Sequence, residues 1–207
     1  MVSEREQMKR RRGRAAGVAS SVWFLLAATC LAAGWATAAW GGLPEYVRRL
    51  QPEREPKTAA RIEAWRACLD ESLRERFNFA WCIATVDGVG KMEYIAHSGV
   101  GGAEDLSEES WARVRKVMAV DVPEGKRHYE TFCVNRRNAI DGEDCWDRDQ
   151  DTEFKILEAI TARLEKHPGA TGTVALYTDL PPCASCQRVI EEFQKRYPRL
   201  RVTVLYK

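Results

Sequence analysis

The chain has 207 residues, of which 45% are hydrophobic, with 32 Lys and Arg side chains against 30 Asp and Glu. This length and apolar content indicate a folded domain with its own core, and they exclude a disordered tail, a collagen-like chain and a repeat protein. Six of the basic and two of the acidic side chains lie in residues 1–14, which leaves 26 basic and 28 acidic side chains, a net charge of −2, for the rest. That slightly acidic body argues against a general basic surface for nucleic-acid backbones.

The basic start is followed by an uncharged stretch from Ala15 to Pro44. This stretch is long enough to span a bilayer, which needs about 20 apolar residues. Two interpretations of residues 1–43 remain open: a cleaved signal peptide, and an uncleaved membrane anchor with Trp35 and Trp40 at the interface. Because a Lys and Arg cluster before such a stretch stays in the cytoplasm, we expect the rest of the chain to lie outside it, secreted or membrane-anchored.

The next segment is rich in proline and charge. Residues 44–57 contain three prolines and are predicted to be a linker, followed by one domain over residues 58–207. The first half of that domain is predicted to contain, in chain order, a helix over residues 58–76, a hairpin of strands Phe77–Val86 and Lys91–His97, a short helix Ser107–Val117, a strand His128–Val134 and a polar loop over residues 135–150.

The end of the chain has the clearest periodicity. Helices are predicted over Asp151–Lys166 and Cys183–Tyr197, and strands over Thr171–Thr178 and Leu200–Tyr206. A strand, a helix and a strand in succession form a β-α-β unit, whose two strands are parallel neighbours. Together with the hairpin, this unit predicts an α/β domain with a mixed sheet and helices on its faces.

The chain contains seven cysteines, of which Cys30 lies in the uncharged stretch. Cys183 and Cys186 form a C-x-x-C pair. In an oxidising compartment the other four cysteines allow two disulfides, for which the local options are Cys68–Cys82 and Cys133–Cys145. Buried free thiols are the alternative.

Polar side chains at the starts of the last two predicted helices suggest a chemical site. Asp151 and Glu153 lie in the first turn of one helix, where Glu153 shares a face with apolar residues. Cys183 and Cys186 lie at the start of the other, where the helix dipole favours thiolates. Two thiolates and one oxygen ligand fit a three-ligand zinc site whose fourth position is left for water. Glu153 is then placed to face that water and carry its proton.

Two short strings carry a family resemblance. Asp151-Thr152-Glu153 and Pro182-Cys183-Ala184-Ser185-Cys186 resemble the H-x-E or C-x-E and P-C-x-x-C motifs of the zinc-dependent deaminases of bases and nucleosides. The wider stretches NAIDGEDCWDRDQDTEFKILEAI and GTVALYTDLPPCASCQRVIEEFQKRYPRLRVTVLY resemble the deaminase domains of bacterial polymorphic toxins. In one departure from the family, Asp151 stands where His or Cys is the usual first ligand.

The resemblance implies a cytidine deaminase-like, three-layer α/β/α fold for the domain. It implies Zn²⁺ bound by Asp151, Cys183 and Cys186, with Glu153 as the proton shuttle of a hydrolytic deamination, typically of cytosine to uracil. It also implies toxin-like action on a nucleic acid or nucleotide, and an inhibitory immunity protein as a partner. The membrane is a further partner if residues 1–43 stay uncleaved.

Candidate substrate residues are weaker signals. Trp146 and Tyr177 are candidate apolar walls for a target base, and Asn135 and Asn138 follow a predicted strand, near where folds of this kind place a sugar-binding asparagine. A structural interpretation stands beside each functional one, as a core residue for Tyr177 and as turn residues for the two asparagines.

Two other classes of function compete with the deaminase. One is a catalytically silent binding domain stapled by zinc or by a disulfide. The other is a thiol–disulfide oxidoreductase, because a C-x-x-C pair at a helix start after a strand is also a redox motif. Pro182 argues against the redox class, since an aromatic residue usually precedes the first cysteine there, and that class leaves Asp151 and Glu153 unexplained.

Overall fold

The computed structural model describes residues 43–207, so residues 1–42 of the predicted signal or anchor segment lie outside the described part. The strands of the described part are Val47–Arg49 (β1), Phe79–Val86 (β2), Gly90–His97 (β3), Gly172–Thr178 (β4) and Leu200–Tyr206 (β5). They form a single mixed sheet with the spatial order β1-β5-β4-β2-β3.

Pairing within the sheet follows the two predicted supersecondary units. Strands β2 and β3 pair antiparallel, with Phe79 opposite His97 and Val86 opposite Gly90, which confirms the hairpin. Strands β4 and β5 pair in parallel, which confirms the β-α-β unit. Strand β2 joins the two units, because it also pairs antiparallel with β4.

The helices of residues 43–207 are Pro56–Arg66 (α1), Glu71–Arg74 (α2), Glu108–Val114 (α3), Thr152–Leu164 (α4) and Ala184–Arg196 (α5). Helices α4 and α5 contribute to a buried cluster on one face of the sheet. Ile62 of α1 and Val114 of α3 belong to a second buried cluster on the other face. None of the helices in this part of the chain is long and apolar enough to cross a membrane.

Successive side chains of β2 belong alternately to the two buried clusters. Ala80, Cys82 and Ala84 face the α4 and α5 side, while Phe79 and Trp81 face the α1 and α3 side. Successive side chains of a strand point to opposite faces, so a strand buried on both sides reads as one continuous apolar run. The predicted α/β class with a mixed sheet and helices on its faces is thereby confirmed.

The predicted helix over residues 58–76 is broken in the structure. Helix α1 ends at Arg66 and α2 begins at Glu71, after Asp70. The carboxylate of Asp70 accepts hydrogen bonds from the backbone and hydroxyl of Ser107 and from the hydroxyl of Ser110, at the start of α3. This tertiary contact fixes a turn that helical periodicity alone does not show.

The predicted strand His128–Val134 is wrong. The backbone N–H groups of His128 and Tyr129 both donate to the Glu158 carboxylate on α4, at 2.7 and 2.9 Å. The Phe132 N–H donates to the Ser185 hydroxyl on α5. Because helix side chains satisfy these donors, the segment packs across α4 and α5 and does not join the sheet.

The predicted linker over residues 44–57 contains strand β1. Val47 is buried, and Val47–Arg49 pair in parallel with Val204–Tyr206 of β5. The neighbouring prolines are tolerated because β1 is a short edge strand. A three-residue strand leaves almost no alternation in the sequence, which is why the composition of the segment indicated a linker.

Of the four cysteines considered for disulfides, two form a predicted bridge and two are free thiols. Cys133 and Cys145 form a disulfide, whereas Cys68 and Cys82 are free. Cys82 points into the cluster on the α4 and α5 side, and Cys68 packs against the cluster on the other face of the sheet. The sheet therefore separates the two thiols and excludes the Cys68–Cys82 bridge.

Candidate metal centre and active-site cleft

The first turns of α4 and α5 bring together three side chains that are far apart in sequence. Asp151 precedes α4, Cys183 is the N-cap of α5, and Cys186 lies in its first turn. Both thiols donate to the same carboxylate oxygen, Oδ2 of Asp151, with Sγ–Oδ2 distances of 3.2 Å each. One ligand atom from each of the three residues lies within 4.8 Å of the others.

This donor set fits zinc. Tetrahedral Zn²⁺ with bonds of about 2.3 Å to sulfur and about 2.0 Å to oxygen places a sulfur and an oxygen ligand about 3.5 Å apart. The observed Sγ–Oδ2 distances of 3.2 Å are close to that spacing. Two thiols and one carboxylate are also the ligand types of three-ligand zinc sites, which keep a fourth position open.

Glu153 lies beside this cluster and is almost fully buried, with 3% of its surface exposed. Its Oε2 is 3.7 Å from the Cys186 sulfur and accepts a hydrogen bond of 3.0 Å from the Thr152 hydroxyl. Burial, and then the neighbouring Asp151 carboxylate, raise the pKa of Glu153 above its usual range. A carboxyl group with a raised pKa in a cleft is a candidate for general acid–base chemistry.

The acidic groups of the cluster lie close together in a buried environment, and one arginine contacts them. The hydrogen bond to Cys183, burial and the two nearby carboxylates raise the pKa of Cys186 well above its usual range. Arg148 donates from Nη1 to Oδ1 of Asp151 at 3.4 Å, on the oxygen that the thiols do not use. Arg148 thus leaves Oδ2 of Asp151 directed at the two sulfur atoms.

Asn78 ties the start of α4 to the end of β4. Its side-chain amide donates to the Thr152 hydroxyl at 2.7 Å and to the Thr178 hydroxyl at 2.8 Å. Its carbonyl oxygen accepts from the backbone N–H of Leu180 at 3.1 Å. Since Thr152 in turn donates to Glu153, Asn78 is the second link of a chain of hydrogen bonds that orients the Glu153 carboxylate.

The cluster opens into a cleft of about 430 Å³. Asp151, Glu153 and Cys183 line this cleft, together with Arg148. The remaining walls carry two large apolar side chains that are mostly exposed, Phe77 and Leu180. A concave site with apolar walls and a few convergent polar groups is the usual form of a small-molecule or nucleobase site.

The predicted substrate residues fall in three different places. Asn138 accepts a hydrogen bond from the backbone N–H of Ala184 at 2.7 Å, at the start of α5. Asn135 accepts from the N–H groups of Arg137 and Ala139 and so closes its own turn, which agrees with its structural interpretation. Trp146 is 44% exposed and lines a second cleft with Asn135.

Tyr177 does not line the cleft beside Asp151 and Cys183. Its side chain belongs to the buried cluster on the α1 and α3 face, and its hydroxyl donates to Asp179. The neighbouring residue Thr178 is the one that faces Asn78 and the α4 side. Neighbouring side chains of a strand point to opposite faces of the sheet. Tyr177 therefore faces away from the site, whereas Thr178 faces it.

Sequence reasoning missed Phe77, Asn78, Arg148 and Leu180 as wall residues. One signal was present for Leu180, because it follows the carboxyl end of β4, where α/β sheets place their ligands. No comparable signal existed for Phe77, which the sequence places inside a predicted strand. In the structure β2 begins only at Phe79.

A comparison with protein families gave a match that covers the part of the chain containing these residues. A family model described as a toxin-deaminase, the BURPS668_1122 family of deaminases, matches residues 62–207. The matched range begins in α1 and includes Asp151, Cys183 and Cys186 as well as all the residues that line the cleft. A search of curated proteins and a search of solved structures gave no match.

Proposed function

The chain belongs to the BURPS668_1122 family of toxin deaminases, and from that premise we propose that it is a zinc-dependent hydrolase that removes the amino group of cytosine in a nucleic acid or nucleotide. The observation that supports zinc is the convergence of Asp151, Cys183 and Cys186 at one point. The observation that supports catalysis is the buried Glu153 carboxylate next to it.

Each residue of the cluster has a defined task in this proposal. Asp151, Cys183 and Cys186 would hold the metal, and Asp151 and Cys183 also line the cleft. Zinc bound by three such ligands supplies Lewis-acid activation of a water molecule. Arg148 orients the Asp151 carboxylate, and Asn138 holds the first turn of α5 on which both thiols depend.

Glu153 moves the proton. Hydrolytic deamination breaks the C–N bond at C4 of the ring, forms a C=O bond there and releases ammonia. Of the two protons of the attacking water, one ends on N3 of the ring and the other must pass to the departing amino group. The buried Glu153 carboxylate, fixed by Thr152, accepts that proton and then donates it.

The family also bears on compartment and partners. Polymorphic toxins act after export from the cell that makes them, which supports the expected export of this chain. We propose an immunity protein as its inhibitory partner. Membrane anchoring through residues 1–43 stays a prediction, because nearly all of that segment lies outside the described residues.

The test combines metal content with turnover. We expect about one zinc per chain in the parent and much less in Asp151→Ala, with Asp147→Ala as the matched control, because Asp147 is exposed and outside the cluster. Ammonia release is then measured with cytidine, RNA and single-stranded DNA. Glu153→Ala should keep its zinc and lose turnover by about a hundredfold or more, whereas Glu165→Ala, near the end of the same helix, should not.

Two outcomes would contradict the proposal. Turnover that survives in Glu153→Ala would remove the proton-transfer role of that residue. A parent without zinc, with Cys183 and Cys186 oxidised to each other, would favour the silent binding domain or the oxidoreductase; reduction of an insulin disulfide by the chain would then distinguish these two.

A further inference from the structure

We propose that Phe77 is a stacking platform for a nucleobase adjacent to the target base, so that the substrate of the metal cleft is a single-stranded polynucleotide. This inference rests on the proposed function. It depends on four observations: the exposure of the Phe77 ring, its backbone conformation, the groups that hold it, and its place between two clefts.

Phe77 is unusually exposed for a large apolar residue in the middle of a folded domain, with 64% of its surface accessible. Its backbone is in the left-handed region, with φ 63°. For a bulky residue this region is disfavoured, and such outliers tend to persist at functional sites. Asn and Gly tolerate this conformation far better, so folding alone gives no reason for an aromatic ring here.

The exposed ring is nevertheless held in place. The rings of Phe77 and His97 are in contact and nearly perpendicular, with a centroid distance of 5.9 Å and an interplanar angle of 81°. Gly99 lies under the ring so closely that a Cβ atom at that position would be 2.9 Å from Cδ2 of Phe77. The Arg76 guanidinium lies 5.6 Å from the centroid. A ring that is fixed before binding loses little entropy when a base stacks on it.

His97 is a rigid support for this ring because its own nitrogens are satisfied. The residue is completely buried. Its Nε2 lies 3.1 Å from the Leu73 carbonyl oxygen and 2.9 Å from that of Arg76, and the N–H of Gly99 donates to Nδ1. All three contacts fit the tautomer with the proton on Nε2.

Phe77 also stands on a ridge between two clefts. With Leu180, which is 61% exposed, it lines both the metal cleft of about 430 Å³ and a neighbouring cleft of about 480 Å³. The two side chains are the residues that these clefts share. When the target base occupies the metal cleft, the adjacent base of the same strand therefore lies at the ridge, in contact with Phe77 and Leu180.

Charge favours stacking over backbone attraction as the source of affinity. The neighbouring cleft is lined by Arg66, Arg74 and Lys207, but also by Glu63, Glu75 and Asp179. Arg66 is already paired with Asp179 at 2.6 Å. With a net charge of −2 outside residues 1–14, the protein has little general attraction for phosphates. Stacking on an aromatic ring adds affinity for single strands that does not depend on the phosphates, so it would be the larger contribution here.

Binding of single strands is the direct readout. In the full-length chain with Glu153→Ala, which prevents turnover, we would measure the affinity for short oligodeoxynucleotides and oligoribonucleotides that contain cytosine. Adding Phe77→Gly to this variant should weaken its affinity for whichever of the two polymers binds more tightly. The expected loss is roughly tenfold to a hundredfold, which is the range for the loss of one stacked base. Phe77→Trp should retain the affinity, because it restores a π-face.

A structural role for Phe77 predicts a different pattern. Glycine suits φ 63° better than phenylalanine does, so Phe77→Gly should unfold at the same or a higher temperature while it loses affinity. Equal affinity of Phe77→Gly and its parent, or a loss of affinity that accompanies a lower melting temperature and is not rescued in Phe77→Trp, would overturn the stacking role.

The failure of this inference can be distinguished from the failure of the proposed function. If the parent chain releases ammonia from oligonucleotides and Phe77→Gly is as active as the parent, the deaminase proposal stands and the stacking role is wrong. If no substrate releases ammonia but Phe77→Gly still weakens oligonucleotide binding, the stacking role stands and the deaminase proposal is wrong.

Discussion

At the scale of single residues, carboxylates occupy two contrasting environments in this protein. Glu153 is buried beside other acidic groups, and its pKa is raised. Glu93 on β3 accepts two hydrogen bonds from Arg61 and one each from the indole N–H groups of Trp65 and Trp81. The Arg61 hydrogen bonds, with smaller help from the two indoles and against the effect of burial, lower the pKa of Glu93 to about 2. The first environment suits proton transfer, and the second ties α1 to the sheet.

Glu93 gives a prediction on acid stability. Because its pKa is lower in the folded chain, its stabilisation is fully present above about pH 4.5 and is lost as the pH falls toward 2. Glu93→Gln should lower the free energy of unfolding by about 2 kcal/mol at pH 7 and make that free energy less dependent on pH between 4.5 and 2. Urea unfolding at a series of pH values measures both effects. Glu63→Gln is the control, and an equal acid slope in Glu93→Gln and the parent would contradict the prediction.

At the scale of elements, the loop between Cys133 and Cys145 supports the start of α5. The disulfide closes this loop over a sequence separation of 12 residues. Within the loop, Asn138 accepts the hydrogen bond from Ala184, which satisfies one of the free N–H groups at the start of the helix. The Cys183 and Cys186 thiols lie in the same turn, so the loop helps to fix two of the proposed metal ligands.

We therefore expect the loop to couple the disulfide to the proposed metal site. Replacing both Cys133 and Cys145 by serine should destabilise the domain by about 2–4 kcal/mol and speed the removal of zinc by a chelator. Asn138→Ala should reproduce part of the zinc effect at a smaller cost, about 1 kcal/mol. Chelator competition and chemical denaturation at fixed pH measure the two effects. The matched control is Cys68→Ser, because Cys68 is free and lies far from this loop. Zinc release at the parent rate from the double serine variant would argue against the coupling.

At the scale of the whole molecule, one sheet carries a separate core on each face. Leu164 of α4 belongs to one buried cluster and Ile95 of β3 to the other, and both are fully buried. The same strands contribute residues to both clusters, so we expect the described part of the chain to unfold as a single cooperative unit.

Two substitutions test this arrangement. Leu164→Ala and Ile95→Ala should each lower the free energy of unfolding by about 2–5 kcal/mol. Because the two sites lie on opposite faces and share no cluster, the double variant should show the sum of the two effects within about 0.5 kcal/mol, in one transition. Thermal and urea unfolding followed by two spectroscopic probes would reveal separate transitions if the cores were independent.

The elements that could be predicted from sequence are those whose signals are local. The hairpin of β2 and β3 and the β-α-β unit of β4, α5 and β5 have continuous periodicity over seven or more residues, and the structure confirms them. The predicted strand over residues 128–134 failed because its backbone partners are Glu158 and Ser185, which local periodicity does not reveal. Strand β1 escaped detection because three residues are too few to show a period.

The sequence by itself determined which residues are candidates for the chemistry: the spacing of Asp151 and Glu153 and that of Cys183 and Cys186 are properties of two helix starts, and helix geometry acts over a few residues. Only the tertiary structure decided that these two turns meet, with sulfur and oxygen atoms 3.2 Å apart across 32 residues of chain. It also decided that Tyr177 faces away from the cleft and that Phe77 stands at its rim. The physical reason is that strand register and a left-handed backbone are set by packing between distant segments, which no short stretch of sequence specifies.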